Sequence, residues 1–299
     1  MKKTFKIILL TAFLMGCTMG ASNAQVRFTQ ADKDVFNKVM EVLEPLKDEP
    51  MSVRIMAAAG AMIGTPYVTG TLEQEPEALT VSLAKTDCIL LVEACACMAQ
   101  TAGQKDRSFE AFCENLRQFR YRNGITDGYA SRIHYTSEWI ARAQARGLLR
   151  EVTGELSQTP LKQSFSYMSK NAGKYPVLVK NPGLVPEIAA TEENLSGADY
   201  FYIPKSRLEN SLDQIRHGDM ICFVTNIEGL DITHVAYAYE TYECEHDCCP
   251  DARGCSNGQR RLGFLHASSS AGKVVVDPQT LAGYVNSIKS CIGVRIVRF

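Results

Sequence analysis

The first half of the chain carries apolar residues at the spacing of amphipathic helices. Val35, Phe36 and Val39 recur along one face of such a helix. Thr29, a residue type that caps helix N-termini, stands shortly before them. The pattern predicts a first helix, and "SVRIMAAAGAMIG" predicts a second that ends at Gly64.

A different pattern occupies residues 86–102, where "TDCILLVEACACMAQTA" is apolar on nearly every side. A helix that is hydrophobic all round belongs in the interior, so we predict a central helix from Cys88 to about Gly103. The stretch "RSFEAFCENLRQFRYRNG" predicts another helix, and "GYASRIHYTSEWIARAQARG" predicts a loop that leads into one more.

The last third of the chain changes to short runs rich in β-branched and aromatic residues. They predict the strands of an antiparallel sheet and read "MICFVT", "ITHVAYAYE", "RLGFLHASS", "KVVVD" and "IGVRIVRF". Residues 167–207 have poor periodicity and predict a long connecting structure. Helices first and strands last is typical of the α+β class, with helix packed on antiparallel sheet.

Composition narrows the function classes. The 299 residues are 45% apolar and 22% charged, which is ordinary for a globular protein. The net charge of −1, without a basic stripe interleaved with aromatic residues, argues against a nucleic-acid partner.

The N-terminus has the composition of an export signal. Three lysines within the first six residues precede the apolar run 7–14, which is too short to span a bilayer. We expect residues 1–24 to be a signal peptide and residues 25–299 to form a single domain. Removing residues 1–24 takes away three lysines and no acidic residue, so the net charge falls from −1 to −4.

Two processing routes are compatible with this segment. A small-x-small site at residues 22–24 would release a soluble protein that begins at Gln25. The stretch "LMGC" instead resembles a lipobox, which would acylate Cys17 and anchor the protein to the outer membrane. Both routes predict an exported protein, periplasmic or secreted, with a membrane as partner only if Cys17 is lipidated.

Candidate chemistry begins at Cys88. A thiol at the first turn of a helix lies at the positive end of the helix dipole, which favours the thiolate. Alternation along "ITHVAYAYE" places His234, Ala236 and Ala238 on one strand face, and we expect the small residues to leave room there for the helix that carries the thiol. His266, on a second strand, could fix the tautomer of His234.

These residues belong to a longer series of motifs. "GTPY", "DC" opening the apolar helix, "GD" before a strand, "THVAYA" and "FLHAS" follow one another along the chain. Their order resembles that of the NlpC-type cell-wall cysteine peptidases over roughly residues 55–299. "TPYVTGTLE", "RYRNGITDGYASRIHY" and "YIPK" resemble the N-acetylmuramoyl-L-alanine amidase-like branch of that superfamily. The resemblance implies a papain-like core with the nucleophile-bearing helix packed on the sheet and a helical elaboration on its N-terminal side.

The same resemblance implies a catalytic set. Cys88 is the nucleophile, His234 the general base and His266 the third, orienting residue. The backbone N–H of Cys88 and the hydroxyl of Tyr67 stabilise the oxyanion, next to Asp87. Cys95 and Cys97 lie deeper in the helix and are expected to be packing residues.

The segment "SRIHY" offers further candidates for substrate binding. Arg132, His134 and Tyr135 would form a wall of the pocket, with Arg132 pairing bidentately with a peptide carboxylate. A purely structural loop is an equal alternative. The chain also departs from the family at Ala236, where relatives have glycine, and by a Cys-rich insertion at residues 241–261.

The predicted function is an exported cysteine amidase that hydrolyses peptidoglycan fragments at the N-acetylmuramoyl-L-alanine bond through a thioester intermediate. A γ-D-glutamyl-diamino-acid endopeptidase and a non-catalytic binder of wall fragments are the alternatives. Muropeptides are the expected partners. No cofactor is implied, since acyl transfer to a thiolate needs none.

The inserted loop yields a first testable prediction. We expect its four cysteines to form two disulfides rather than a metal site, because disulfides persist in an exported protein. Intact-mass analysis after alkylation, with and without prior reduction, counts the free thiols. Four thiols alkylated without reduction, or bound zinc, would contradict the disulfides; the residues are Cys244, Cys248, Cys249 and Cys255.

Overall fold

The structure, a computed structural model, describes residues 26–243 and 259–299. The two longest α-helices of the described residues lie in the first half of the chain, as the apolar periodicity predicts. The α-helices in these two ranges are α1 (Gln30–Leu43), α2 (Met51–Ala61), α3 (Cys88–Ala102), α4 (Phe109–Arg120), α5 (Thr136–Ala145), α6 (Thr153–Leu156), α7 (Tyr167–Lys170), α8 (Pro176–Lys180), α9 (Val185–Ser196) and α10 (Leu281–Ser287).

The strands form one large sheet and two small pairs. The strands of the described residues are β1 (Val26–Arg27), β2 (Leu79–Thr80), β3 (Arg150–Glu151), β4 (Pro160–Leu161), β5 (Tyr200–Phe201), β6 (Ile203–Pro204), β7 (Met220–Thr225), β8 (Ile232–Glu243), β9 (Gln259–Ser268), β10 (Lys273–Val276) and β11 (Cys291–Arg298). The large sheet has seven of them in the order β10-β9-β8-β7-β11-β3, with β6 also paired to β11. Its ladders are antiparallel.

Helix α3 is the central helix, as its all-round apolar sequence predicts. Of its residues, Cys88, Ile89 and Gln100 keep partial exposure and the others are buried. The hydroxyl of Tyr237 on β8 donates a hydrogen bond of 2.8 Å to the carbonyl of Val92, which ties the helix to the sheet. Each fully buried Leu or Val contributes about 1.5–3 kcal/mol, so this helix is a main source of stability.

The face of β8 that receives α3 differs from the predicted one. Val235 and Tyr237 belong to the apolar cluster that contains α3, whereas Ala236 and Ala238 belong to a second cluster with α10 on the opposite face. The prediction that the small residues make room for the nucleophile helix is therefore wrong. Large side chains face α3 because that helix is itself rich in small residues, and the alanines accommodate α10.

The Cys-rich insertion extends a hairpin instead of distorting it. The pairing of β8 with β9 continues into the insertion through Thr241↔Arg261, Tyr242↔Arg260 and Glu243↔Gln259. The register closer to the core is unbroken, with Tyr237 opposite Leu265, so His266 stays on a regular strand. The four loop cysteines lie outside the described residues.

The segment predicted as a long connection has more structure than its sequence indicated. Residues 167–207 contain the three helices α7, α8 and α9. Their buried residues Met168, Leu178 and Ile188 pack with Tyr135 in a third apolar cluster. Short helices with few apolar positions give a weak periodic signal, and this packing against a distant loop stabilises them.

Mixed helices and antiparallel sheet confirm the predicted α+β class. The papain-like core stays a prediction at this level of description. No helix within residues 26–243 and 259–299 is both long and apolar enough to cross a membrane.

The segment that leads into α3 is held by a buried carboxylate on α1. Asp32 forms a capping box with Thr29. Its Oδ1 also accepts hydrogen bonds of 2.8 and 2.9 Å from the backbone N–H groups of Leu83 and Ala84. Burial alone would raise the pKa of Asp32, but these hydrogen bonds outweigh it and lower the pKa.

We predict that Asp32→Ala lowers the free energy of unfolding by about 2–4 kcal/mol, because several buried donors lose a charged acceptor. A carboxylate with a lowered folded pKa stabilises above its unfolded pKa of about 3.9, so the difference from wild type should shrink as the pH falls below about 4. Urea unfolding at several pH values measures it. Asp34→Ala, at an exposed position of the same helix, is the control and should change stability by less than about 0.5 kcal/mol.

Candidate active site

A cavity of about 290 Å³ lies at the N-terminal end of α3. The thiol-bearing residue Cys88 and the imidazole-bearing residue His234 both line it. Its wall also contains three of the predicted pocket residues, namely Arg132, His134 and Tyr135. The structure therefore gathers, at one cavity, residues that are far apart along the chain.

Cys88 is the first residue of α3, as predicted. Asp87 is the N-cap, and its Oδ1 accepts a hydrogen bond of 2.9 Å from the backbone N–H of Leu90. Cys88 is partly exposed, whereas Cys95 and Cys97 are completely buried in the apolar core. This difference agrees with the prediction that the two deeper cysteines are packing residues.

The pKa of Cys88 shifts in the direction opposite to the one expected for a residue at a helix N-terminus. Burial, with a smaller contribution from the Asp87 carboxylate, raises the pKa of the Cys88 thiol to about 12. The partial positive charge at the helix N-terminus acts in the opposite direction but is too small to compensate. The residue is therefore a neutral thiol at pH 7.

The two histidines are in direct contact. Nε2 of His234 lies 2.7 Å from Nδ1 of His266, with the rings nearly perpendicular at 79°. Burial, reinforced by the neighbouring His266, lowers the pKa of His234 to about 3. Burial also lowers the pKa of His266. Both rings are therefore neutral at pH 7. One of the two nitrogens in this contact must carry the hydrogen, and the other must accept it.

A carboxylate that the sequence analysis missed adjoins this pair. Nε2 of His266 lies 3.2 Å from Oδ2 of Asp277, within the range of a polar contact although the N–H is not well aligned for a hydrogen bond. Asp277 directly follows β10, which pairs with the strand of His266. An acidic residue at the end of a strand next to a histidine strand was the available signal.

Tyr67 lies close to Cys88 through the fold of the loop that precedes α3. The backbone N–H of Tyr67 donates to the carbonyl of Gly272 (2.9 Å), and Tyr67 bridges to Thr86, just ahead of the nucleophile candidate. Burial, with contributions from Cys88 and Asp87, raises the pKa of the Tyr67 hydroxyl. The hydroxyl is therefore protonated at neutral pH and can donate a hydrogen bond.

Arg132 is already paired inside the protein. Its guanidinium lies 2.9 Å from Oε1 of Glu73 and 3.4 Å from Oε1 of Glu77, and above the ring of Tyr129. Burial would lower the pKa of Arg132, but the two carboxylates outweigh it and raise the pKa. A substrate carboxylate would have to compete with both glutamates, a condition that the sequence analysis did not foresee.

His134 and Tyr135 also make internal hydrogen bonds. Nε2 of His134 lies 3.0 Å from the carbonyl of Tyr129, and burial keeps the pKa of His134 well below its usual range. The hydroxyl of Tyr135 donates to Oε1 of Glu192 on α9 at 2.5 Å. Both residues line the cavity, but their described polar contacts anchor the loop.

A second ion pair at the cavity was missed by the sequence analysis. Glu93 on α3 accepts from Arg120 on α4, with an N–O distance of 2.8 Å and both side chains almost fully buried. Both residues line the cavity. Glu93 is the lone charged residue in the apolar sequence of α3, and a buried charge normally requires a partner.

No group of three or more His, Cys, Asp or Glu residues is arranged to hold a metal ion within the two described ranges. The cavity is lined by a neutral thiol, by the neutral imidazole of His234, which contacts His266, and by two internal ion pairs. This set is suited to nucleophilic attack followed by proton transfer.

Comparison with known proteins places the chain in a family. Residues 57–294 match the family described as AmiA-like, N-acetylmuramoyl-L-alanine amidase-like. The match covers most of the chain, so this protein belongs to that amidase-like family, and membership indicates a hydrolase with a substrate derived from peptidoglycan. No curated protein matches the chain.

Solved structures resemble it along most of their length. An N-acetylmuramoyl-L-alanine amidase from Bacteroides uniformis is 33% identical, with a TM-score of 0.73, over 83% of this chain and 98% of that one. A Bacteroides fragilis protein provisionally named a xylanase is 37% identical, with a TM-score of 0.71, over 81% and 99%. A Legionella pneumophila protein at 22% identity and a TM-score of 0.60, over 90% of this chain and 95% of that one, shows a shared fold.

The pairing of Arg132 leads to a prediction on stability. Arg132→Met should lower the free energy of unfolding by about 3 kcal/mol, because it leaves Glu73 and Glu77 without their cation. Burial raises the pKa of Glu77 even in the native protein, and a carboxylate with a raised folded pKa destabilises more as the pH rises above about 4.3. The loss should therefore be larger at about pH 8 than at about pH 5.

Chemical denaturation at the two pH values measures this dependence. Adding Glu77→Gln to the variant should recover part of the stability at the higher pH. The control is Arg142→Met, since the Arg142 side chain is 41% exposed in its ion pair and should cost less than about 1 kcal/mol. A loss for Arg132→Met that is no larger than that of the control would contradict the structural role.

Proposed function

We propose that this protein is a cysteine amidase that hydrolyses the bond between the muramoyl lactyl group and L-alanine in peptidoglycan fragments. The observation that carries the proposal is the contact of His234 with His266 beside Cys88 at one cavity. Membership in the amidase-like family supports the reaction class. The Bacteroides uniformis structure, named N-acetylmuramoyl-L-alanine amidase, supports the choice of bond.

The orientation of the histidine pair assigns a position to each proton. Nε2 of His234 faces His266, so Nδ1 is the nitrogen left for proton transfer. It can accept a proton only if the hydrogen of the neutral ring is on Nε2, where it donates to Nδ1 of His266. His266 thereby selects the tautomer in which His234 acts as a base.

The first half of the reaction forms a thioester. As Sγ of Cys88 attacks the lactyl carbonyl carbon, the thiol proton passes to Nδ1 of His234. The backbone N–H of Cys88, at a helix position without an intrahelical acceptor, and the hydroxyl of Tyr67 donate to the developing oxyanion. The C–N bond then breaks, and the proton on His234 goes to the alanine nitrogen, so that the peptide leaves as a free amine.

The second half regenerates the thiol. A water molecule gives a proton to His234 and attacks the thioester carbonyl, and the C–S bond breaks to release the muramoyl carboxylic acid. The sulfur recovers a proton from the imidazolium. Because both residues are neutral at rest, proton transfer accompanies attack instead of preceding it.

The name xylanase given to one similar structure points to a different chemistry. Glycoside hydrolysis normally uses two carboxyl groups, one of them protonated as the general acid. In this cavity, Glu73 and Glu93 each form an ion pair with an arginine. A carboxylate held by a cation is poorly placed to donate a proton to a leaving group, so we favour acyl transfer by Cys88.

The γ-D-glutamyl-diamino-acid endopeptidase is the second candidate, since the same thiol and imidazoles would serve it. Binding of a wall fragment without catalysis is disfavoured because nucleophile, base and orienting residue are all present. We also propose that residues 1–24 direct export, with residues 25–299 as one papain-like domain and lipidation at Cys17 as the alternative exit.

Digestion of a purified disaccharide-tetrapeptide tests the proposal. We expect mass spectrometry to show free disaccharide and intact tetrapeptide. Cys88→Ala should reduce the rate by at least about a thousandfold, because the nucleophile is lost, while thermal unfolding stays near that of wild type. Cys97→Ala removes a thiol from the same helix away from the cavity and should keep the activity.

Release of a disaccharide that still carries L-Ala-D-Glu would show that the γ-D-glutamyl bond is the target. Hydrolysis by Cys88→Ala at the wild-type rate would rule out the thiol mechanism. Fragment binding in a calorimeter without any product, for a correctly folded wild type, would favour the non-catalytic binder.

A further inference from the structure

We propose that Asp277 is a positioning residue that fixes the tautomer of His266 and, through it, that of His234. The inference rests on the proposed role of His234 as the general base. It extends the site by one residue, from the two histidines to a carboxylate behind them.

The fold holds the Asp277 backbone against the strand of His266. Val275 of β10 is the register partner of His266 on β9. Two residues later, the backbone N–H of Asp277 donates to the carbonyl of Phe264 at 2.9 Å. The Asp277 side chain is 10% exposed, and its Oδ2 lies 3.2 Å from Nε2 of His266. The carboxylate is therefore enclosed next to the far nitrogen of the orienting histidine.

Along Asp277, His266 and His234, only one arrangement of the ring hydrogens leaves a free base for catalysis. A carboxylate oxygen accepts hydrogen bonds, so Nε2 of His266 carries the hydrogen that faces Oδ2 of Asp277. Nδ1 of His266 is then an acceptor and requires the hydrogen of His234 on Nε2. Nδ1 of His234 is left without a hydrogen, which is the state that a base needs.

The other groups around the pair do not perform this task. On α10, the ring of Tyr284 packs edge-on against that of His266, with 5.9 Å between the ring centres, and burial raises the pKa of its hydroxyl, which keeps it protonated and without a negative charge at neutral pH. From α3, Cys88 lines the cavity. Phe223 and Phe264 supply apolar ring contacts to the histidines. Asp277 is thus the carboxylate placed to define the tautomer.

A structural role for Asp277 also has support, since its Oδ1 accepts a hydrogen bond of 2.9 Å from the backbone N–H of Gln279. This is the pattern of an Asx turn, which leads into α10. The test must therefore distinguish an effect of losing this turn from an effect of changing the tautomer of His266. Asparagine keeps an oxygen for the turn, but it presents an N–H₂ group to Nε2 of His266.

The experiment compares wild type with Asp277→Asn by long-range ¹H–¹⁵N NMR of the histidine rings, with His266→Gln used for assignment. We expect wild type to carry hydrogen on Nε2 of both rings. In Asp277→Asn the amide should donate to Nε2 of His266 and reverse both tautomers. With the base blocked, kcat/KM for the muropeptide should fall by at least about a hundredfold at pH 7.

Thr280→Ala is the matched control. Thr280 caps α10 by accepting from the N–H of Gly283, so its loss weakens the start of the helix that follows the Asp277 turn without touching the histidines. This variant should lower the Tm while leaving the ring signals and kcat/KM near wild type. If Asp277→Asn fails to fold, Asp277→Ser keeps a turn acceptor and removes the charge, and its ring signals should show a mixture of tautomers.

Wild-type ring signals with hydrogen on Nδ1 of His266 would overturn the proposal, and so would unchanged tautomers in the folded Asp277 variants. Reversed tautomers in a protein whose wild type cleaves no muropeptide would support the positioning role and refute the proposed function. The NMR readout needs no substrate, so the two failures are distinguishable.

Discussion

The packing of α3 against one face of the large sheet is the interaction on which the rest of the structure depends. Val235 and Tyr237 of β8 meet the small residues of the helix, and the Tyr237 hydroxyl binds the carbonyl of Val92. This contact sets the position of the helix relative to the sheet, and with it the position of its first residue, Cys88. His234 points from the other face of the same strand, near its beginning, and reaches the same cavity.

Burial gives the site its chemical character. The same desolvation that raises the pKa of Cys88 lowers the pKa of His234, so both are neutral before substrate arrives. A neutral thiol reacts slowly with metal ions and oxidants, since the reactive form of a thiol is the thiolate. The backbone around it is held by distant groups, including Asp32, whose hydrogen bonds fix the segment ahead of α3.

Charges in the cavity are arranged as internal pairs. Arg132 is held by Glu73 and Glu77, and Arg120 is held by Glu93. Such pairs are expensive to bury and require good geometry. A charged group of a substrate would therefore meet arginines that already have carboxylate partners, and not one isolated guanidinium.

The α+β class, the central helix that begins at Cys88, the strands of His234 and His266, and the candidate Tyr67 all follow from the sequence, because periodicity and short motifs are local signals. Five features emerge only from the folded chain: the cap of α3 at Asp87, the face of β8 that receives α3, the helices of residues 167–207, the pairing of Arg132, and the position of Asp277 behind His266. The last four depend on contacts between residues far apart in the chain, and on burial that sets pKa values. No local pattern encodes either.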